Sequence, residues 1–147
     1  YNERFKGYKK EEVEKELEKR LSEQEKQTIL TILSSVEAAF QVDYYVRCHK
    51  KLKDPISRSF YENLKKCNQE STRPSLGKDI LPIWKEEIPK QSHKQSIKHL
   101  LGAFKYRHWL AHGRYWKPNL GKNYDYNDIY SLAERVLLDL PLLSTPK

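Results

Sequence analysis

Residues 23–52 read EQEKQTILTILSSVEAAFQVDYYVRCHKKL, thirty positions without a glycine or a proline. Ile29, Leu33, Val36, Phe40 and Tyr44 recur at steps of three and four, which puts them on one face of an α-helix. This is the longest helix the sequence predicts, and its apolar stripe needs other helices to cover it. No stretch of the chain alternates with period two in the way a half-buried strand requires. Working outward, Asp54-Pro55 supplies an N-cap and a first-turn proline for a helix to about Asn68. Glu70–Gly77 reads as a loop. A short helix around Asp79–Glu87 carries Trp84 and is interrupted by Pro82. Ser92 with Gln95 opens a helix that runs to Gly113, where a C-terminal glycine belongs. After a loop over Tyr115–Tyr124, Asp125 with Asp128 opens a last helix, apolar at Ile129, Leu132, Val136, Leu137 and Leu140 and ended by Pro141. Amphipathic helices joined by short loops predict an all-α, antiparallel bundle of about five helices.

On the other side of the long helix, residues 9–21 interleave Glu and Lys at helical spacing, as in an exposed helix held by ion pairs. Ser22 with Glu25 is either a capping box that starts a new helix or a polar point on one continuous helix. The organisation read from this is a charged extension over 1–22 and a bundle over 23–147. The chain begins at Tyr1 and has no methionine, which fits a piece cut from a longer protein. No apolar run approaches the roughly 20 residues of a membrane span, and no signal peptide is seen. Cys48 and Cys67 fall in no metal-type spacing and read as two reduced thiols, so a cytoplasmic protein is expected.

The 147 residues carry 28 Lys and Arg against 20 Asp and Glu, a net charge of +8. From Ile88 to Tyr124 there is no acid. That stretch holds eight basic residues, the whole of the surplus, among them Lys105, Arg107, Arg114 and Lys117. A one-signed segment is an electrostatic footprint for phosphates, although a merely solvated cationic surface reads the same way. Arg47, Lys50, Lys51 and Lys53 form a second basic cluster.

Within the acid-free segment, YRHWLAHGRYW (106–116) concentrates two each of His, Arg, Tyr and Trp. The stripe of Ile97, Leu100, Leu101 and Phe104 continues into Arg107, His108 and Ala111, so an apolar face turns polar in its last two turns. Arg107 and His112 are separated by about 140° around the helix and about 7.5 Å along it. Both can border one cleft if a second surface closes it. Phosphodiester chemistry suits them. His112 can move a proton near neutral pH. Arg107 can hold a phosphorane with two parallel hydrogen bonds and keeps its proton. His108 is a second proton-transfer group or an orienter of Arg107.

Arg107-His108-Trp109-Leu110-Ala111-His112, at the end of a late helix of a small bundle, resembles the Arg-x4-6-His motif of the HEPN superfamily, in which a polar residue often follows the arginine. The resemblance covers about residues 23–141. It implies a HEPN-like bundle, a homodimer with two motifs facing across the interface, and RNA cleavage without metal. The 2′-hydroxyl attacks the adjacent phosphate and leaves a 2′,3′-cyclic phosphate and a 5′-hydroxyl. It also implies a toxin or anti-phage setting with an antitoxin or other regulatory partner protein. Some HEPN toxins carry a regulatory tyrosine two residues after the histidine; here Tyr115 is three residues on, so that regulation is not carried over. The rival expectation is a non-catalytic HEPN-like module that binds RNA or protein.

Lys105, Arg114, Tyr115, Trp116 and Lys117 complete the expected RNA-binding set, the aromatics by stacking on unpaired bases or by packing over the helix end. No cofactor or metal is expected. A zinc reading of His108 and His112 lacks an obvious third ligand. Asp43 sits at the edge of the buried stripe; it pairs locally with Arg47 at i,i+4 or reaches across to fix Arg107, and the local pair is the simpler reading. For Glu37 the sequence does not choose. His49, His93 and His99 read as surface residues.

Overall fold

The computed structural model describes residues 9–112 and 124–143, with side chains for all of these except 110–112. The described residues form five α-helices and one π-helical turn, with no strand among them: α1 (Lys10–Lys50), α2 (Pro55–Gln69), the turn Leu76–Ile80, α3 (Leu81–Glu87), α4 (Gln91–His112) and α5 (Tyr126–Asp139). The all-α expectation holds.

α1 runs unbroken for 41 residues. Of the two readings of Ser22, the polar point on a continuous helix is the one found. Nothing in this stretch breaks a helix, and its interleaved charges support it, as in the pair between Arg20 Nε and Glu16 at 3.1 Å. The expected stripe of Ile29, Leu33, Val36, Phe40 and Tyr44 is fully buried. The helix stops at Lys51, whose left-handed backbone (φ 50°) lets its N–H reach back to the carbonyls of Arg47 and Cys48.

α2 begins as read, with Pro55 in the first turn and the Asp54 carboxylate accepting from Ser57 N–H at 3.1 Å. It returns antiparallel to α1. Ser57 lies beside Arg47, and Asn63 accepts from the Tyr44 hydroxyl at 2.8 Å. The π-helical turn at Leu76–Ile80 replaces the end of the loop expected to Gly77 and the start of the helix expected from about Asp79. Asp79 accepts from Ser75 N–H at 2.7 Å and from the Asn63 side chain at 3.1 Å, so a tertiary contact winds this segment onto α2. α3 then inserts Trp84 between Phe40 and Phe60, with ring centroids 6.1 and 6.3 Å away in edge-on geometry. Burying each of these phenylalanines stabilises the fold by about 1.5–3 kcal/mol.

α5 opens with the expected reciprocal cap of Asp125 and Asp128. It lies alongside α1 in the same direction. Its first N–H, from Tyr126, donates to Glu25 at 3.0 Å, and Leu143 N–H, just beyond its end, donates to Asp43 at 2.8 Å.

At that end sits a buried polar centre. Arg47 Nε donates to Asp43 at 2.8 Å, Nη1 to Asp54 and Ser57, and Nη2 to the Pro141 carbonyl at 2.7 Å. The guanidinium also lies 5.1 Å over the Trp84 ring. Burial pushes the Asp43 carboxyl up, outweighing the opposing bonds from Leu143 N–H and Arg47. Asp54 goes the other way: its smaller burial is outweighed by Ser57 and Arg47, which hold it below its usual value. This corrects one sequence reading. Arg47 is buried and committed, so it does not belong to an exposed basic cluster with Lys50, Lys51 and Lys53. The local pairing read for Asp43 is the one found.

Candidate functional site

The site is built from the last described turns of α4 against the middle of α1. Ile97, Leu100 and Ala103 turn one side of α4 into the core, with Phe104 half-buried at its edge. Arg107 stands one turn beyond Ala103 on that side, so its side chain points toward α1 and away from the helix's outer face. There Nη1 donates to Glu37 Oε2 at 2.6 Å and Nη2 to Ser34 Oγ at 3.3 Å. The guanidinium is also 5.9 Å from the Phe104 ring centroid. Glu37, which the sequence left open, is therefore the acid that holds Arg107, and Asp43 is not. The choice is made by where α4 crosses α1.

Both partners of this pair remain 34% exposed. A half-exposed ion pair contributes on the order of 1 kcal/mol or less. Its consequence is orientation: two of the guanidinium's three nitrogens have found α1, and part of the group still meets solvent. Beside it on α1 lies an open groove of about 370 Å³ that includes Ser34 in its lining.

The remaining expected residues divide by position. Lys105 and His108 are exposed on α4. By helical register they lie with Lys98 on the outward side, about 100–180° round from Arg107. His112 is the last residue of α4; its side chain, and all of Arg114, Tyr115, Trp116 and Lys117, lie outside the described residues. α4 carries no acidic residue from Gln91 to His112, and Lys98 and Lys105 are exposed along it. The structure thus joins Arg107 to Glu37 and leaves the pairing of Arg107 with His112 outside what it describes.

Two features were missed by sequence reasoning. Ser34 is a partner of Arg107, and a small polar residue three before Glu37 gave no signal by itself. The second is an aromatic cluster. Tyr106 stacks on Trp109 (5.8 Å, 24°) and leans on Tyr124 (5.4 Å, 33°), all three packed partly against the core. The Tyr124 hydroxyl reaches the backbone of Gly102, where a Cβ would collide with it. Burial, and secondarily Asp128, raise the Tyr124 hydroxyl above its usual value.

Among the described residues no group of three or more His, Cys, Asp or Glu side chains is placed to hold a metal ion. Cys48 and Cys67 are free and buried, and burial pushes the Cys48 thiol up to about 11, away from nucleophilic use. His93 is half-buried, whereas His49 and His99 are exposed as expected. No helix among the described residues is long and apolar enough to cross a membrane. Comparison with protein-family models, curated proteins and solved structures returns no match.

Proposed function

We propose that this chain is a metal-independent endoribonuclease of HEPN type that works in the cytoplasm as a homodimer. The observation that carries the reading is Arg107. It is a permanently charged fork, oriented by Glu37 and Ser34 and still partly open to solvent, on a helix with no acid along its length. In the proposed reaction the RNA phosphate docks on the free side of this guanidinium. His112 takes the 2′-hydroxyl proton as that oxygen attacks phosphorus and the bond to the 5′-oxygen breaks. Arg107 stabilises the added negative charge of the phosphorane. His108, exposed one residue on, is the candidate to protonate the leaving 5′-oxygen.

The test is incubation of purified protein with total RNA and a chelator, followed by end-group analysis. The expected products carry 2′,3′-cyclic phosphate and 5′-hydroxyl ends. His112→Ala lowers the rate by roughly 10²–10⁴, the usual share of a proton-transfer group, and Arg107→Ala abolishes detectable cleavage with the fold retained. Cleavage that needs added metal, or none at all, overturns the proposal. The 2.6 Å contact favours one second reading, since a guanidinium already answered by a carboxylate suits a module that binds RNA or protein without cutting. That module binds without forming cyclic ends.

A further inference from the structure

α1 carries a second repeat on its outer side, opposite the core stripe. Leu17, Leu21, Gln24, Thr28, Thr31, Ser35, Ala38, Val42 and Tyr45 follow one another at alternating steps of four and three. That is the heptad spacing of a helix that packs along another helix. None of the nine is charged, in a chain that is 33% charged. Four of its large apolar side chains are left in solvent: Leu17 47%, Leu21 66%, Val42 36% and Tyr45 46% exposed. Between Lys26 and Arg47 the helix has two charges, and neither disturbs this strip: Glu37 is tied to Arg107 and Asp43 is buried.

The middle of the strip is more apolar than its composition suggests. The hydroxyls of Thr28, Thr31 and Ser35 donate to the carbonyls of Gln24, Gln27 and Thr31 at 2.9–3.1 Å. Their protons are already bonded within the helix, so covering them leaves no donor unsatisfied. The open groove of about 370 Å³ lies over this middle, and Thr31, Ser35 and Ala38 help line it. Small side chains here allow a second helix backbone to come close.

We infer that this strip is an interface between two copies of the chain, packed through antiparallel α1 helices about a two-fold axis at Thr31. The order of side chains selects the occupant. Reversed about Thr31, the strip matches itself: Leu17 meets Tyr45, Leu21 meets Val42, Gln24 meets Ala38, and Thr28 meets Ser35. Large residues pair at both ends and small ones in the centre, the self-complementarity that an isologous contact requires. Charge selects the direction. The antiparallel register brings the exposed Lys50, Lys51 and Lys53 end of one copy level with residues 9–12 of the other, where Glu11 and Glu12 offset Lys9 and Lys10. A parallel pair would instead set Lys50, Lys51 and Lys53 of both copies side by side, like charge beside like. The strip is about 42 Å long.

The axis passes three residues, about 4.5 Å along the helix, from Ser34, which holds Arg107. A two-fold normal to the plane of the two helices keeps both copies of Arg107 on one face of the pair. What that does for RNA rests on the cleavage reading above; the interface does not.

Light scattering or sedimentation of the full chain tests it. The expected mass is twice 17.6 kDa. Thr31→Glu sets two carboxylates against each other on the axis and weakens the dimer roughly a hundredfold or more, with helical content unchanged because Thr31 is exposed. Leu17→Cys with Tyr45→Cys forms an intermolecular disulfide under mild oxidation, whereas Leu17→Cys alone does not. A monomeric parent protein, a dimer indifferent to Thr31→Glu, or cross-linking by Leu17→Cys alone overturns the inference. The two proposals fail separately. A dimer lost in Thr31→Glu, with no RNA cleavage by the parent, upholds the interface and removes the cleavage reading. RNA cleavage by a dimer that is indifferent to Thr31→Glu does the reverse.

Discussion

Arg47 and Arg107 are the two arginines that α1 engages most closely, and their surroundings give them opposite uses. Arg47 is enclosed, and every nitrogen of its guanidinium is bonded. Replacing it with Met leaves Asp43 buried with its cation gone, which costs about 3–5 kcal/mol, read as a lowered urea midpoint. Asp43 adds a pH signature. Its folded-state carboxyl is raised by burial, so the folded form takes up its proton more readily than the unfolded chain does. Its contribution to stability is therefore unfavourable at neutral pH and is relieved as pH falls through the raised value. Asp54, held low, opposes this: its stabilisation is present above the unfolded carboxylate range and lost on acidification. Asp43→Asn removes the first effect and keeps the second. The stability of the parent relative to this variant accordingly increases as pH is lowered from 7 toward 4. Unfolding curves that keep a constant offset across that range would contradict the assignment. At Arg107 the informative change is Glu37→Gln. It removes a negative charge beside the docking phosphate and weakens the hold on the guanidinium. RNA affinity is expected to rise by about fivefold, the scale of one half-exposed charge contact, while the cleavage rate falls. A purely structural Glu37 moves neither.

Among the elements, α4 and α5 meet where Tyr124 rests on Gly102. Glycine inside a helix costs roughly 0.5–1 kcal/mol relative to alanine, so this position has a reason to be small. Gly102→Ala drives its methyl into the Tyr124 hydroxyl, and the ring is wedged against Tyr106. The expected outcome is a loss of stability in the parent background. In a Tyr124→Phe background the oxygen is gone, and the same Gly102→Ala change stabilises by up to about 1 kcal/mol. A double-mutant cycle with no coupling would show that the contact does not matter. This pairing was not legible in the sequence, because it joins residues 22 apart across a segment of no regular pattern. What was legible at this scale rested on local chemistry. Asp54-Pro55 and Asp125 with Asp128 start α2 and α5 where their caps predict, and the 29-33-36-40-44 stripe is the core of α1. Leu76 and Gly77 read as loop in the sequence because Asn63 and Asp79, which set the turn, interact only once α2 is in place. The outer strip of α1 was hidden for a related reason. Its nine positions straddle Ser22, and a possible helix start there splits the repeat into two unremarkable halves. Only the continuous helix shows it. Within the candidate site, Arg107's inward direction followed from extending the α4 stripe, but its partner depended on tertiary placement that no local pattern encodes.

At the scale of the whole molecule, the question is where +8 units of charge are displayed and what neutralises them. Two exposed sets compete to be the phosphate-binding face: Lys98 and Lys105 on acid-free α4, and Lys50, Lys51 and Lys53 at the end of α1. Their surroundings separate them. α4 has no acid on its own length, so its lysines find no counter-ion from neighbouring turns. The α1 lysines, in the inferred dimer, come level with residues 9–12 of the second copy and so have Glu11 and Glu12 near them. Each phosphate contact to a single strand adds about −0.7 to the slope of log affinity against log salt. Replacing Lys98 and Lys105 together by Gln should therefore flatten that slope by about 1.4 and weaken binding most at low salt. The same treatment of Lys50 and Lys51 should leave the slope close to that of the parent and instead lower the dimer's stability, an effect that also fades with salt. Titrations of a single-stranded RNA at several salt concentrations, run beside sedimentation of both variants, read the two effects independently. If the α1 pair flattens the RNA slope and the α4 pair does not, the phosphate-binding face has been assigned to the wrong helix.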